Sequence, residues 1–443
     1  MQSTTENQAV LQATLQRGID AHLAGQLEQA AQIYRDVLDR DPIEPVALHY
    51  LGIYLHQIGE HDEALEKLVL STALESDNAG WHNDLGNVLF ALQRFEDAAQ
   101  SYADALAITP DDHSIWNNLG AVHLQLAEKQ EAIAAFKRAV ELAPEFVPAL
   151  THLGSIYQAD GNKMEASHYQ CRAFVVPPLE GKSKEMLGIS FYFLGRLAEA
   201  AEIYRAWLQE EPGHPIAAHL MAACSQSDVP ERASDSYIEF HFDRYAETFD
   251  ANLLNSLAYR GPQLIGLGLE LVGAPAHQFE VIDIGCGTGL CGPFLAPFSK
   301  HIVGVDLAGK MLGKARSGGH YTQLEKAEIG DYLSRNPGSC DLVTAADTMI
   351  YFGDLGPVFG KVAKSLRDDG YFIFTIEVVT ATDQAPGGYC LHASGRYRHG
   401  LDYVTHHLRS NGLQLLHHSE QILREEIRQS VAGLLFVARR LPS

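Results

Sequence analysis

Three glycines at alternate positions form the sequence feature with the clearest chemical meaning. Gly285, Gly287 and Gly289 follow the apolar run 281–284, so a predicted strand leads straight into a glycine turn. Glycine permits a tight turn and lets a ligand approach the backbone where a Cβ would collide. Asp306 ends a second predicted strand, which follows this turn, and an acid there accepts hydrogen bonds from two ribose hydroxyls. The spacing predicts a site for an adenosine-containing ligand.

The positions of the neighbouring residues separate a dinucleotide from S-adenosylmethionine. A dinucleotide fingerprint has its third glycine five residues after the first, and this chain has Leu290 there. A shifted match beginning at Gly287 would bury Gly285 and Cys286 inside the strand. Asp283 would be an odd buried charge in a dinucleotide site. S-adenosylmethionine has no pyrophosphate to receive, so the pattern favours it, and a nicotinamide oxidoreductase is the alternative with the weaker match.

Short apolar runs alternate with amphipathic stretches from residue 279 onward. This alternation predicts an α/β fold of Rossmann-like type, a mostly parallel sheet with helices on both faces. The predicted strands are residues 279–284, 302–305, 342–345, 371–376, 413–416 and 434–438. The glycine turn and Asp306 then lie together at the carboxyl edge of the sheet.

The first half of the chain is built from a regular sequence repeat. Glycine recurs at 18, 52, 86, 120, 154 and 188, and alanine at 30, 64, 98, 132, 166 and 200. A long side chain recurs with the same period at 34, 68, 102, 136, 170 and 204, and only Gln170 among these is polar. Small residues let two helices pack closely, and the proline that closes five of the six units ends a helix. The pattern predicts an all-α solenoid with two helices in each unit.

These patterns divide the chain into five segments. They are an N-terminal tail at 1–10, six repeats at 11–214, a capping helix at 215–226, a linker at 227–236 and the α/β domain at 237–443. A capping helix is expected because the last repeat of a solenoid otherwise exposes an apolar face. The linker is predicted from its polar composition, from Pro230 and from the loss of the period.

The two parts resemble two known families. The repeat is similar to the tetratricopeptide repeat (TPR), which has the same period and the same order of small, small, aromatic and proline positions. Residues 231–443 resemble class I S-adenosylmethionine-dependent methyltransferases, whose first motif is matched nearly letter for letter by residues 285–289, GCGTG. The stretches 241–250 and 257–260 resemble bacterial proteins that join both parts. The resemblance implies a multidomain chain in which a TPR solenoid precedes a class I methyltransferase domain.

The resemblance also implies which residues hold the cofactor, S-adenosylmethionine. Those of the glycine turn and its flanking strands are Asp283, Gly285, Cys286, Gly287, Gly289 and Asp306. Glu328, near the end of an expected third strand at 324–327, is the expected partner of the adenine amine. Asp331 is the alternative, because the family more often has Asp at this position.

Aromatic residues ahead of the glycine turn are expected to fold over the methionine end of the cofactor. Tyr245 and Phe249 are the predicted lid residues, and Arg260 is the predicted partner of the cofactor carboxylate. The alternative is that Phe242, Tyr245 and Phe249 form an ordinary buried stripe on a helix.

Methyl transfer from a sulfonium needs alignment and exclusion of water more than a nucleophilic side chain. A carboxylate acceptor has only to be held in line, whereas a hydroxyl or a protonated amine also needs a base within hydrogen-bond reach. Asp347 and Tyr351, after the fourth strand, and His399, after the fifth, are the predicted catalytic residues because both places face the site in this fold. Further candidates in the second place are His392, Arg396 and Tyr397.

Composition limits the partners that the chain can have. The net charge is −23, and residues 1–230 hold 14 Lys and Arg against 32 Asp and Glu. This acidity repels a phosphate backbone, so no nucleic-acid partner is expected. The six cysteines have no repeated short spacing, and no apolar stretch of membrane length occurs. We therefore expect a cytoplasmic protein without a metal site, a disulfide framework or a membrane segment.

The predicted function is methyl transfer from S-adenosylmethionine to an acceptor that the solenoid helps to recruit. A protein or peptide partner is expected on the concave surface of the repeats. The alternative is an interaction scaffold whose cofactor-binding domain is catalytically silent. The sequence leaves the acceptor open between a protein, a small molecule and a carrier-bound acyl group.

Overall fold

The structure is a computed structural model that describes residues 2–251, 253, 257–426 and 429–442. The chain divides into two compact units, Met1–Pro178 and Leu179–Ser443. None of the described helices is long and apolar enough to cross a membrane.

Helix pairs build the first unit. Its described helices are α1 (Gln2–Leu23), α2 (Leu27–Leu38), α3 (Pro45–Gln57), α4 (His61–Leu74), α5 (Ala79–Ala91), α6 (Phe95–Ile108), α7 (His113–Gln125), α8 (Lys129–Leu142), α9 (Val147–Ala159) and α10 (Lys163–Phe174). Each odd-numbered helix packs against the helix that follows it. The repeat glycines lie on the first helix of each pair and the repeat alanines on the second, as the period predicts.

Close packing between the two helices of a pair explains the repeat glycine. A Cβ added at Gly120 would lie 2.8 Å from Cε1 of Phe136, whose side chain is fully buried. A Cβ at Gly18 would lie 2.6 Å from Cε1 of Tyr34, which is also fully buried. The ring on the second helix of each of these pairs therefore occupies the space that a side chain at the glycine position would need.

The second unit begins with helices that continue the repeat pattern. They are α11 (Lys184–Phe193), α12 (Leu197–Glu210), α13 (Pro215–Ser225) and α14 (Asp235–Tyr245). This grouping differs from the predicted division of the chain, which placed all six repeats at 11–214 apart from the α/β domain at 237–443.

Polar contacts within the second unit give the physical reason for this grouping. Nε2 of His219, on α13, lies 2.8 Å from the carbonyl oxygen of Gly395, in the turn between the sixth and seventh strands of the sheet. Arg244, on α14, donates two hydrogen bonds of 2.8 and 2.7 Å to the carboxylate of Glu185, on α11. The sixth helix pair and the capping helix thus belong to the same compact unit as the sheet.

Two predicted segment boundaries also differ from the structure. Residues 2–10, predicted as a tail, belong to α1, because no proline or glycine interrupts the helix there. Asp235 and Ser236, predicted as the end of the linker, begin α14. Ser234 caps this helix by accepting a hydrogen bond of 3.2 Å from the backbone N–H of Tyr237, a common way for a helix to begin.

A mixed sheet forms the centre of the second unit. Its described strands are β1 (Phe279–Ile284), β2 (Ser299–Asp306), β3 (Gln323–Lys326), β4 (Cys340–Ala345), β5 (Leu366–Val378), β6 (Tyr389–Leu391), β7 (Tyr397–His399), β8 (Leu413–Glu426) and β9 (Gln429–Arg440). The strands run β3-β2-β1-β4-β5-β7-β6, with β9 antiparallel beside β5 and β8 beside β9. The pairs that join β3, β2, β1, β4 and β5 are parallel.

Helices connect and cover these strands. They are α15 (Phe249–Ala251), α16 (Gly261–Leu271), α17 (Gly292–Leu295), α18 (Gly309–Gly318), α19 (Ile329–Arg335), α20 (Gly356–Ser365) and α21 (Leu401–Ser410). Val281, Ile282 and Ile284 on β1 are all buried, which requires cover on both faces of the sheet. The predicted α/β architecture is confirmed, and β1 has the predicted bounds.

The last two strands are much longer than the predicted strands at 413–416 and 434–438. Exposed and half-buried residues alternate along much of β8, as expected for an antiparallel strand with one covered face. The predicted apolar run ends at Leu416 because polar residues follow, although the strand itself continues to Glu426. This extension brings Arg424 and Glu426 to the functional site.

Candidate functional site

A cavity of about 300 Å³ lies at the carboxyl edge of the parallel strands. Residues that follow β1 and β4 and the last residue of β2 contribute to its wall. The predicted site residues that line it are Phe249, Gly285, Cys286, Gly287, Asp306, Glu328, Asp347 and Tyr351. Adjacent parallel strands place their carboxyl ends at the same edge, which is where ligands bind in open α/β sheets.

The three glycines of the turn all have positive φ angles but meet different surroundings. A Cβ at Gly285 would lie 2.6 Å from Cγ2 of Thr348, and one at Gly289 would lie 3.1 Å from Cβ of Ala315. Around Gly287, whose φ is +54°, no described atom lies within 4 Å of the Cβ position. Gly285 and Gly289 are therefore required by packing, whereas Gly287 leaves open space for a ligand.

Asp306 joins the end of β2 to the glycine turn. Its Oδ2 accepts a hydrogen bond of 2.9 Å from the backbone N–H of Gly287, and its Oδ1 accepts one of 2.8 Å from that of Ala308. Burial raises the pKa of Asp306, and these backbone hydrogen bonds oppose the shift. Each carboxylate oxygen keeps a second lone pair, so the side chain is held in place and can still accept hydrogen bonds from a diol.

Asp283 lies beneath the glycine turn, outside the residues that line the cavity. It accepts hydrogen bonds of 2.6 Å from the Tyr321 hydroxyl and 2.7 Å from Oγ1 of Thr344. Burial raises the pKa of Asp283 to about 6. The structure therefore places this side chain between Tyr321 and Thr344, and its predicted role in cofactor binding stays a prediction.

Glu328 lines the cavity and also caps a helix. Its Oε2 accepts a hydrogen bond of 2.7 Å from the backbone N–H of Asp331, at the start of α19. Asp331, the alternative adenine partner, is exposed in the first turn of that helix and is not among the lining residues. The geometry favours Glu328.

The predicted lid residues separate in the structure. Phe249 lines the cavity and meets the ring of Phe242, also in the wall, edge to face at 5.7 Å. Tyr245 is 38% exposed and is not a lining residue. The single helical stripe considered as the alternative does not form either, because α14 ends at Tyr245 and Phe249 begins α15.

Arg260 and His399 do not lie where their predicted roles require. Arg260 is exposed at the start of α16 and is absent from the lining of the cavity. His399 is fully buried, and its Nε2 lies 2.8 Å from the carbonyl oxygen of Phe352. Burial lowers the pKa of His399 to about 4. The register of β7 turns this side chain into the core, so the prediction that it is catalytic is corrected.

Two arginines in the cavity wall form an ion-pair cluster that sequence reasoning did not assemble. Arg424, on β8, donates hydrogen bonds to Oδ2 of Asp347 at 2.6 Å and to Oε1 of Glu426 at 2.7 Å, and it also bonds Glu377. Arg396 donates to Glu377 at 2.6 Å and to both oxygens of Glu426, at 2.7 and 2.6 Å. The signal in the sequence was Glu377, a charged residue directly after the apolar run of β5.

The two arginines favour the ionised form of Glu377 and Glu426. Burial alone would raise the pKa of Glu377, but Arg396 and Arg424 lower it below its ordinary value. The same two arginines lower the pKa of Glu426 against the effect of burial. Burial raises the pKa of Asp347, and Arg424 only partly offsets that.

Among the described residues no group of three or more His, Cys, Asp or Glu side chains could hold a metal ion.

Three neutral side chains complete this end of the cavity. His241, on α14, lines the wall, and burial lowers its pKa to about 4. Burial raises the pKa of both Tyr259 and Tyr351, which also line the wall. At neutral pH these three groups carry no charge, and all three offer hydrogen-bonding atoms in the cavity wall.

Comparison with known families identifies both parts of the chain. Residues 15–79 and 83–145 match the family described as tetratricopeptide repeat, and residues 282–374 match the family described as methyltransferase domain. The second match spans β1 to the middle of β5 and includes the glycine turn, Asp306, Glu328 and Asp347. It does not include Arg396, Arg424 or Glu426.

Curated proteins similar to this chain are methyltransferases. The Probable S-adenosylmethionine-dependent methyltransferase CRG1 of Saccharomyces cerevisiae is 30% identical over 31% of this chain and 48% of its own. The Ubiquinone biosynthesis O-methyltransferase of Thiobacillus denitrificans is 28% identical over 23% of this chain and 46% of its own. The chain thus spans about half the length of these relatives.

Among solved structures, the crystal structure of MamA is similar to part of this chain. The match covers 35% of this chain and 91% of the MamA chain, at 26% sequence identity and a TM-score of 0.34.

Proposed function

Because the chain joins tetratricopeptide repeats to an S-adenosylmethionine-dependent methyltransferase domain, we propose that it transfers a methyl group to an acceptor bound at the Asp347 end of the cavity. We propose further that the repeats bind a protein or peptide and so help to recruit the acceptor. The observation that carries the first proposal is the hydrogen bond from the N–H of Gly287 to Asp306, which fixes a carboxylate beside the open glycine.

The residues of the cavity fit S-adenosylmethionine. Asp306 has lone pairs available for the two ribose hydroxyls, and Glu328, which lines the cavity, is the proposed acceptor of a hydrogen bond from the adenine amine. Gly287 leaves room for the cofactor to pass close to the backbone, because a side chain there would point into unoccupied space. Bound S-adenosylmethionine supplies an activated methyl group on a sulfonium.

The chain's own contribution to catalysis is alignment, exclusion of water and acceptance of a proton. Phe242, Phe249 and Ile350 give the wall an apolar surface. Asp347 and Tyr351 lie in the turn and short helical segment after β4 and face the same space. Holding the acceptor in line within a dry site supplies most of the rate enhancement that such a displacement needs.

A titration of the full-length protein tests the cofactor assignment. Calorimetry with S-adenosylhomocysteine should show that Asp306→Ala weakens binding at least tenfold, because a carboxylate that accepts from two hydroxyls is lost. Glu328→Gln should weaken it less. Asp331→Ala, a neighbouring exposed acid, is the matched control and should change the affinity less than twofold. Equal affinities for wild type and Asp306→Ala would refute the assignment.

A turnover assay separates an enzyme from a silent cofactor-binding scaffold. The full-length protein is incubated with fractionated lysate and methyl-labelled S-adenosylmethionine, and the species that gain a methyl group are identified by mass. Labelled product supports the proposed function. Cofactor binding without any labelled species across the fractions would support the scaffold instead.

The recruitment role needs variants that leave the methyltransferase unit unchanged. Asn83 and Asn118 lie on the first helices of two repeats and are joined by a 3.0 Å hydrogen bond. Replacing both with alanine should raise the acceptor KM at least fivefold without changing cofactor affinity. Gln100→Ala, on the exposed side of a second helix, is the control. An unchanged KM in the double variant would contradict recruitment through this face.

A further inference from the structure

One oxygen of Asp347 is enclosed in the protein without a hydrogen-bond partner. Oδ1 has none among the described residues, whereas Oδ2 accepts from Arg424 at 2.6 Å. The backbone at Asp347 adopts a left-handed φ of +51° and donates its N–H to Oγ1 of Thr375 at 2.9 Å. A strained non-glycine backbone beside a cavity is typical of a functional residue.

The charges around Asp347 do not add up to a positive site. Arg396 and Arg424 face three carboxylates, those of Asp347, Glu377 and Glu426. The cluster therefore carries a formal charge of −1 when Asp347 is ionised and 0 when it is protonated. In neither state is there a cationic excess to hold an anion.

Each of the two arginines has five N–H donors and uses three of them within the cluster. Arg424 spends its three guanidinium nitrogens on Glu426, Asp347 and Glu377. Arg396 spends Nε and Nη2 on Glu377 and Glu426, and its Nη1 makes no hydrogen bond to any described residue. The N–H groups left over on these arginines can donate to a neutral oxygen, but two guanidinium charges that already face three carboxylates do not offset a further buried anion.

Other nearby charged groups do not alter this balance. Arg232 lines the cavity and is paired with Asp235 at 2.6 Å. Arg398 lies 3.6 Å from Oε2 of Glu377 and is also paired with Asp383 at 3.0 Å, so this arginine and this acid together add no net charge to the cluster. His241, on α14, is held neutral by burial. From every element that packs against Asp347, the surroundings are therefore neutral or negative.

We propose, resting on the methyl transfer proposed above, that the acceptor is a proton donor, a hydroxyl or an amine, which donates to Oδ1 of Asp347, and that a carboxylate acceptor is excluded. As the acceptor's lone pair forms its bond to the methyl carbon, the bond from that carbon to sulfur breaks and its electron pair stays on sulfur. The acceptor's proton passes to Oδ1 of Asp347. Arg424 acts as a positioning residue that holds the other oxygen.

This selectivity comes from a part of the chain outside the stretch that matches the methyltransferase family. Arg396, Arg424 and Glu426 lie beyond residue 374, where the family match ends. Glu377 also lies just beyond it. Every member of the cluster except Asp347 thus lies beyond the matched stretch, at the acceptor end of the cavity.

Three small probes of matched shape test the proposal without knowledge of the natural acceptor. The full-length protein is saturated with S-adenosylhomocysteine, and the affinities of benzylamine, benzyl alcohol and benzoate are measured by ligand-observed NMR. Benzylamine and benzyl alcohol should bind at least tenfold more tightly than benzoate. In Asp347→Asn the preference for benzylamine over benzoate should fall at least tenfold, because the substitution removes the carboxylate whose Oδ1 has no hydrogen-bond partner among the described residues.

Controls make each outcome decisive. Asp402→Asn, an exposed acid on α21, should keep the wild-type preference, and Asp347→Asn should bind S-adenosylhomocysteine within threefold of wild type. Benzoate binding as tightly as benzylamine in the wild type would overturn the proposal, as would an unchanged preference in Asp347→Asn or failure of all three probes to bind. Loss of S-adenosylhomocysteine binding by the wild type would instead refute the proposed function, and this inference with it.

Discussion

Arg424 donates a hydrogen bond of 2.6 Å from Nη1 to Oδ2 of Asp347, across 77 positions of sequence. The side chain of Arg424 is only 3% exposed, and that of its other partner Glu377 is 1% exposed. Removing one member of a buried charge pair leaves an uncompensated charge, which costs more than the pair itself contributes. The bond therefore links the stability of the terminal strands to the geometry of the acceptor site.

Arg424→Gln should lower the free energy of unfolding of the second unit by about 3–5 kcal/mol, the usual effect of breaking a buried ion pair. The measurement is urea unfolding followed by Trp207 fluorescence in a Trp81→Phe/Trp116→Phe background, where Trp207 reports on the second unit alone. Arg409→Gln, an exposed arginine on α21, should change the same free energy by less than about 0.5 kcal/mol.

A double variant checks that the effect of Arg424 acts through Asp347. Arg424→Gln combined with Asp347→Asn should be less destabilised than the sum of the two single changes, because residues in one network are not additive. Strict additivity would mean that the pair does not interact in solution. Where Arg424→Gln still folds, its kcat should fall while its affinity for S-adenosylhomocysteine stays within threefold, as expected of a positioning residue.

Asp283 predicts a pH dependence of stability. Its pKa is raised by burial from 3.8 to about 6. Between these values the folded chain holds the proton and the unfolded chain does not, so the contribution of Asp283 to stability falls as the pH rises through this window. From pH 4 to pH 7, the unfolding free energy of wild type should fall by about 3 kcal/mol relative to that of Asp283→Asn. A gap that is constant across this range would contradict the buried, proton-binding state.

Local patterns predicted the strand and the glycine turn at the end of the cavity that is assigned to the cofactor. The strand at 279–284 and the glycines that follow it are adjacent in sequence, so the apolar run and the turn can be read together, whereas the packing of Gly285 against Thr348 and of Gly289 against Ala315 is seen only in the structure. Asp306 ends the next strand and reaches the glycine turn because parallel neighbours share an edge. Here the sequence order and the spatial order coincide.

The acceptor end was harder to predict because distant strands build it. Arg424 lies on a strand whose polar residues hid its length, and its partners come from β4, β5 and its own strand. His399 was predicted to face the site from its place after β5, but alternate residues of a strand point to opposite faces, and the register that decides between them depends on β6 and β7. Arg260 was predicted from the resemblance of the stretch 257–260 to bacterial proteins that join both parts, which does not fix the direction of its side chain in space.

Two substitutions in the glycine turn should separate ligand binding from packing. Gly287→Ala should weaken S-adenosylhomocysteine binding at least tenfold, because the added methyl group enters the open space at the cavity, and the left-handed backbone should cost about 1–2 kcal/mol. Gly285→Ala should cost more stability, because its Cβ would also collide with Thr348.

Gly313→Ala is the matched control for this pair. Gly313 lies within α18, has ordinary helical backbone and has no described atom near its Cβ position. Alanine there should stabilise the second unit by about 0.5–1 kcal/mol through helix propensity. Calorimetry for binding and Trp207 fluorescence for unfolding measure all three variants. Unchanged cofactor affinity in Gly287→Ala would show that the ligand does not approach this backbone.

Glycine-to-alanine substitution at two equivalent repeat positions should have opposite effects on the stability of the first unit. Gly120→Ala, on α7, should destabilise the first unit by about 1–3 kcal/mol, because its methyl group would overpack against the fully buried ring of Phe136. In Gly154→Ala, on α9, the one tight contact of the new Cβ is with Cγ of Gln170, at 3.1 Å, and that side chain is exposed and flexible, while two backbone atoms lie at an ordinary 3.6 Å. The side chain can move aside, so the higher helix propensity of alanine should stabilise the unit by up to about 1 kcal/mol.

Urea unfolding followed by Trp116 fluorescence in a Trp81→Phe/Trp207→Phe background measures the stability of both variants. Because the two glycines occupy equivalent repeat positions, equal effects would show that the facing side chain on the second helix is not what requires the glycine.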